Sequence, residues 1–214
     1  MYYFPEGSKV YYSVTFATAK TVSAISNASP AVATATSHGY SDADPVLLAS
    51  GWEDANDTVF EVDQLSADTF GVLGLDSTDT DWFAAGTGTG EAMKISSWVE
   101  VPQLISLTST GGGPRYGTVD PIGRRNAIKQ IIGFEPSSLD LSLGYDAANA
   151  TQQALNAISR AFTPVAVKIV IPGGGRVYGY GNIAVSEVPQ MSKGNAITVS
   201  GAISVIGRMI GYGA

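Results

Sequence analysis

Chemistry in this 214-residue chain has few places to reside: one histidine, one run of aspartates, one glycine-rich string and one basic cluster. His38 sits in Ser37-His-Gly-Tyr-Ser-Asp42, a turn sequence. A triad or a zinc site needs partners around it, and the chain offers no cysteine and no second histidine, so His38 reads as structural. The absence of cysteine also excludes disulfides and thiolate chemistry, and leaves the redox compartment unread. Asp76, Asp79 and Asp81 resemble the start of a calcium loop. Such a loop needs oxygen ligands at its first, third and fifth positions and then glycine. Counted from Asp79, the fifth position is Phe83, so a surface turn is the better reading. Gly179-Tyr-Gly-Asn-Ile-Ala184 spells a dinucleotide fingerprint. That motif works only where a strand turns into a helix, and here strand-like sequence follows. Gly111–Gly113 and Gly173–Gly175 lack the lysine and hydroxyl residue that complete a phosphate loop. No catalytic, cofactor-binding or metal residue emerges, and the chain is not expected to be an enzyme.

Arg124, Arg125 and Lys129 form the basic cluster. Nucleic-acid binding of single strands would add stacking aromatics, which are not adjacent. Salt bridges to an acidic neighbouring subunit are the favoured role. The charge distribution fits that role. Residues 1–95 hold thirteen acids and three bases, and residues 96–214 hold six acids and nine bases. The halves carry −10 and +3 within an overall −7, so two units with different jobs are expected. A net negative chain is not built to grip DNA, which demands a basic footprint.

Only 14% of residues are charged against 44% hydrophobic. Average domains carry roughly 25% charged residues. A surface so poor in charge is expected to be covered by other subunits. The start, Met1-Tyr-Tyr-Phe-Pro-Glu-Gly7, lacks the features of a secretion signal, and no apolar run is long enough to cross a bilayer. Synthesis as a soluble cytoplasmic protein is expected. Tyr2, Tyr3 and Phe4 leave two readings open, a frayed terminus or an arm that docks on a neighbouring subunit.

The elements that position these residues are almost all strands. The exception is Asn149–Phe162, where Ala154, Leu155, Ile158, Ala161 and Phe162 fall on one side of a helical repeat. Asn149 caps it, Gln152 stands where a capping-box partner belongs, and Thr163 before Pro164 ends it. A helix of about three turns cannot hide its apolar stripe alone and must lie on a sheet. That sheet is spelled by Val10–Phe16, Ile95–Leu107, Ala127–Phe134, Leu139–Tyr145, Val165–Ile171, Arg176–Gly181, Ile183–Val188 and Ile197–Val205. Thr108–Asp120 reads as a flexible glycine-rich loop. Residues 21–92 read as short strands broken by turns, a small barrel or sandwich, with Gly86–Glu91 as the linker out of it.

From Trp98 to Tyr212 the order of elements resembles the tail tube protein of long, non-contractile-tailed bacteriophages. The supporting strings are Trp98–Leu104, Ala150–Phe162 leading into Thr163–Ile171, and Val177–Tyr212. The resemblance implies a mainly β protein: a β-sandwich or barrel with one flanking α-helix, residues 1–20 and 93–214. Residues 24–92 separately resemble a small β module inserted in phage structural proteins, which makes 21–92 an inserted all-β domain. It further implies hexameric rings stacked into a tube for DNA ejection, self-association, a tape measure protein and a tail terminator as partners, a virion location, no cofactor and no membrane insertion. Contact candidates under this resemblance are Tyr2, Tyr3, Phe4, Arg115, Tyr116, Arg124 and Arg125. Asp140, Glu100 and Glu187 are candidate acids of the lumen, whose wall must let DNA slide. The alternatives are a tail terminator or other tail ring, and a monomeric module binding carbohydrate or host surface through a concave patch of Trp52, Trp82 and Tyr40.

Overall fold

The structure of the protein is a computed structural model that describes residues 6–213. In chain order its elements are β1 (Lys9–Ser13), β2 (Lys20–Val22), β3 (Ala24–Ile25), β4 (Ala31–Thr34), β5 (Pro45–Ser50), β6 (Thr58–Gln64), β7 (Thr69–Leu73), β8 (Gly90–Lys94), β9 (Val99–Glu100), β10 (Leu104–Thr110), β11 (Pro114–Val119), β12 (Ile128–Phe134), β13 (Ser138–Gly144), α1 (Ala150–Ala161), β14 (Pro164–Ile171), β15 (Gly175–Val185), β16 (Thr198–Val205) and β17 (Ile210–Tyr212). The mainly β class with one helix is therefore as the residue pattern demands.

Alternation builds the first sheet, ordered β10-β13-β16-β15-β14-β1-β9, with β17 also on β15. Its two edge strands, β9 and β10, are joined by Val101–Gln103 alone. So short a link holds the edges within about 14 Å, and the sheet must curl on itself. Backbone bonds complete the turn: Val101 N–H donates to the Val10 carbonyl at 2.8 Å, and Gly144 N–H to the Gln103 carbonyl at 2.9 Å. Inside this nearly closed barrel lie Val10, Tyr12, Val101, Leu139, Leu141, Leu143, Val165, Val167, Ile169, Ile183, Val199 and Ile203.

The helix joins that core through Leu155, and Ile158 rests against it. Asn149 caps it as expected, its Oδ1 accepting from the Thr151 and Gln152 amides. Gln152 does not close a capping box. Its buried amide instead accepts from Asp146 N–H and donates to the Gly144 carbonyl, tying the helix to the end of β13. Phe162 leaves the apolar stripe as well. It takes the left-handed C-cap conformation (φ 53°), which turns the ring into solvent, 82% exposed.

The second sheet, β2-β8-β5-β6-β7-β4-β3, has its edge strands β2 and β3 separated by Ser23 only. It closes by the same logic, around Val22, Ala31, Ala33, Tyr40, Val46, Leu48, Trp52, Phe60, Val62, Phe70 and Val72. Residues 86–91 are not a linker: Gly90 and Glu91 open β8, and Gly88 lies under the Trp52 ring, where a Cβ would come within 2.7 Å. The chain enters and leaves this sheet side by side, with Ala17 N–H bonded to the Lys94 carbonyl and Ser96 N–H to the Thr15 carbonyl.

The two barrels share a seam. Leu47, Val59 and Ile95 meet Ala166 and Tyr178 in one buried cluster, with Phe16, Met93, Trp98, Tyr180 and Tyr212 against it. β17 pairs with β15 and places Ile210 and Tyr212 on the core of the second barrel. Gly207, just before it, lets the backbones touch: a Cβ there would stand 2.2 Å from the Asp57 carbonyl oxygen.

Candidate functional site

The sites with chemical potential resolve as structure. His38 is buried between Tyr40 and Phe70. Tyr40 N–H donates to its Nδ1 at 3.0 Å, which places the proton on Nε2, 2.9 Å from the Ser66 carbonyl it serves. Asp76 Oδ1 accepts from the amide and hydroxyl of Thr78, and these bonds hold its carboxyl below the usual range. Asp79 accepts from the Asp81 amide. Both are turns of the kind aspartate favours. Among the described residues no group of three or more acids, histidines or cysteines could hold a metal ion. The string Gly179–Ala184 lies inside β15, where Gly181 admits the Ser204 carbonyl, 2.1 Å from where a Cβ would be. Trp52 and Tyr40 are core residues while Trp82 is 71% exposed, so the concave aromatic patch of the carbohydrate alternative does not form.

One outer face of the first barrel is unlike the rest. Register places Ser106, Thr108 and Thr110 opposite Ser142, Asp140 and Ser138. Those face Ser200, Ala202 and Ser204, which continue to Ala184 and Asn182. These residues alternate with the buried leucines and valines, so all of them point away from the core. The face carries one charge, Asp140, and no lysine or arginine. It ends at β10, whose outer edge has no partner strand among the described residues.

The second exposed feature corrects the sequence reading. Residues 108–120 are not a flexible loop. Gly111 and Gly112, both at positive φ, turn the chain from β10 into β11, and β11 pairs with β12 as a two-stranded hairpin. The strand was missed because Pro114 and Gly117 break its alternation. Among the described residues no third strand joins the pair. Ile131 and Ile132 point to opposite faces, yet both are exposed, as are Tyr116, Val119 and Phe134. At the tip, Asp120-Pro-Ile-Gly-Arg124 forms a turn in which Arg124 N–H donates to the Pro121 carbonyl, and Ile122 is fully exposed. Arg115, Tyr116 and Lys129 lie along the strands, with the Lys129 ammonium 3.9 Å over the Tyr116 ring, and Arg124 and Arg125 lie at the tip.

The proposed contact residues thus cluster on one arm, except Tyr2, Tyr3 and Phe4, which lie outside the described residues. The three candidate lumen acids do not come together. Asp140 lies on the polar face, accepting from Thr110 Oγ1. Glu100 sits at the far edge of the sheet, bonded to Lys9 at 2.9 Å. Glu187 turns toward the helix, where Arg160 holds its carboxyl below the usual range.

Sequence reasoning missed the polar heart of the seam. Glu61 is 3% exposed, and Arg176 reaches it with Nε and Nη2, the latter 3.1 Å from Oε2. Tyr212 Oη donates to the Leu73 carbonyl at 2.7 Å and accepts from the Glu61 amide at 3.0 Å. Lys168 lies between the Tyr11 and Trp98 rings, and burial lowers its pKa, with Arg176 adding to the effect. The available signal for the pair was Glu61 itself, placed between Phe60 and Val62 in an apolar run.

The first barrel presents a polar face, a strand edge without a partner among the described residues and an apolar arm with a basic tip, the parts of an assembly surface. Comparison with known families agrees: the profile described as phage tail tube protein, TTP, matches residues 50–214. The match runs from the end of β5 through every later element, so it takes in β6–β8 of the second barrel as well as most of the first. No curated protein matches the chain.

Proposed function

This chain belongs to the phage tail tube protein family, and we propose that its copies close into hexameric rings that stack as the tube of a long, non-contractile tail, the conduit for DNA ejection. The family is structural, its place is the virion tail, and self-assembly is its business. The observation that supports the conduit is the polar face of β10, β13, β16 and β15. A wall that DNA must slide along cannot offer lysine or arginine, since each phosphate neutralised releases counterions and holds the duplex. Eleven outward residues with one carboxylate and no base meet that requirement. The unpaired β10 edge supports ring closure, because pairing with the next copy removes a hazard that an open edge carries.

In this reading residues 1–20 and 93–214 form the tube domain and 21–92 the inserted domain. The inserted barrel rests on the outward side of β14 and β15, where Ala166 and Tyr178 are covered by Leu47 and Val59. The polar face lies beside that contact, on β10, β13, β16 and the Asn182–Ala184 end of β15, and we place it at the lumen and the inserted barrel on the tube exterior as a decoration. Asp140 is then the acid of the wall. The hairpin reaches a neighbouring copy. A tape measure protein fills the lumen during assembly and a terminator closes the last ring. DNA passes without specific binding, and no catalysis is assigned. Among the described residues no helix is long and apolar enough to cross a membrane.

Sedimentation of the purified chain across a concentration series tests this. Six copies of 22.2 kDa, followed by larger stacked species, are expected. Rings that never stack favour a terminator or another tail ring, and a monomer at every concentration contradicts both.

A further inference from the structure

One short segment is anchored in the cores of both barrels. β16 pairs with β15 at Gly181–Val185, and β17 pairs with the same side of that strand at Arg176–Tyr178. Between these pairings the chain touches the second barrel, where Arg208 N–H donates at 3.2 Å to the hydroxyl of the buried Thr58. Met209 then packs on the core of the first barrel, and Ile210, the next residue, belongs to the core of the second. Successive residues of a strand point to opposite faces, so a single strand can serve two cores in this way. Gly74 makes room for Ile210, whose Cγ2 lies 3.0 Å from where a Cβ would stand. Tyr212 adds a second anchor. Glu61 and Leu73 are the last register pair of the β6–β7 ladder, and the rest of β6, Thr58–Phe60, pairs with β5 alone. Where the ladder stops, the Tyr212 hydroxyl accepts from the Glu61 amide at 3.0 Å and donates to the Leu73 carbonyl at 2.7 Å. Buried backbone groups are seldom left without such a partner.

We propose that Arg208–Tyr212 is a latch on the second barrel. Docked, it completes that barrel's core, ends its β6–β7 ladder and covers the edge of β15. Undocked, all three open together, and the copy cannot take its place in an assembly. This last step rests on the assembly reading above. With the latch undocked, Arg176–Tyr178 present a bare strand edge and the place of Ile210 in the core is empty. A bare edge pairs with whatever strand it meets, which diverts the copy into aggregates. Opening of this kind releases contiguous hydrogen bonds as one unit, so it leaves a local signature that general destabilisation does not.

Amide hydrogen exchange on the full chain, kept dilute and unassembled, tests the latch. Tyr212→Phe keeps the ring and removes both of its bonds. It should speed exchange of the Glu61 amide tenfold or more while the amides of β13 and β16, in the first barrel, stay unchanged. Ile210→Ser combined with Tyr212→Ala undocks the segment and should extend the loss of protection to β5, β6 and β7, again without change in β13 and β16. Equal loss in both barrels is general destabilisation and overturns the latch, and so does unchanged exchange at Glu61. If the double variant does not fold, Tyr212→Phe decides alone by the same comparison. Electron microscopy of the same chains at assembling concentration reads the last step. Wild type should form tubes, and the double variant should form aggregates and no tubes. Tubes from a double variant whose β5–β7 amides exchange freely overturn the proposal. A wild-type chain that never assembles overturns the assembly reading instead, and the exchange comparison still decides the latch.

Discussion

Glu61 has both oxygens held by Arg176 and its backbone amide held by Tyr212, so a charge sits at the centre of an otherwise apolar seam. Removing one partner leaves the carboxylate buried and uncompensated. Arg176→Met should destabilise the chain by about 3 kcal/mol. The double change Glu61→Leu with Arg176→Met should recover most of that loss, because matched apolar groups replace the pair without stranding a charge. Denaturant melts of both variants check this, and additive losses would contradict it. The seam and core tyrosines predict a second behaviour. Burial pushes Tyr40 and Tyr212 up to about 12 and raises Tyr12, Tyr178 and Tyr180 too. In the unfolded chain these groups ionise near 10, so between 10 and 12 the unfolded state binds fewer protons than the folded one, and stability falls as pH rises through that window. Unfolding followed with tyrosinate absorbance should therefore be cooperative above pH 10; gradual ionisation of the whole set in a folded chain would contradict it. His38 was legible as structural from its isolation in the sequence. Glu61 was not, because a carboxylate in an apolar run gains its meaning from Arg176, 115 positions away.

The helix and the alternating strands were readable as elements, since their periodicity is local. Leu139, Leu141 and Leu143 against Asp140 and Ser142 announce a half-buried strand without any tertiary information. The hairpin was half readable. β12 shows an apolar run, but β11 carries proline and glycine and makes sense only once paired. Gln152 and Phe162 were misjudged for the same reason, one captured by the Gly144 carbonyl and the other turned out by a left-handed cap. Two predictions belong here. Gly207→Ala places a methyl on the Asp57 carbonyl and should lower stability by about 1–3 kcal/mol, as crowding of a packed seam does. Circular dichroism melts of the variant check it. Replacing residues 112–134 with a short glycine-serine turn should leave the monomer fold and melting temperature nearly unchanged, because the hairpin contributes nothing to either barrel core. The same deletion should abolish stacked assemblies. Normal tubes from the deleted chain would contradict the role given to the arm.

At the scale of the molecule, the asymmetry of charge maps onto the architecture. The acidic half includes the whole second barrel, and the polar face and basic hairpin lie in the other half. Composition suggested two units of different charge, and it carried no sign of the seam that joins the two sheets. Tyr178, Ile210 and Tyr212 are covered by the second barrel or pack against it, so excising residues 22–92 uncovers apolar surface at the seam. Such a deletion should aggregate unless those positions are made polar at the same time, which light scattering of the two variants would separate. The central claim, however, is which face looks inward. Reconstruction of assembled particles by cryo-electron microscopy tests it most directly. The account predicts a sixfold tube whose channel wall shows Thr108, Asp140, Ser200 and Ala202, with the acidic barrels projecting outward. A channel lined by the second barrel, a polar face buried between rings, or particles with no open channel would contradict it.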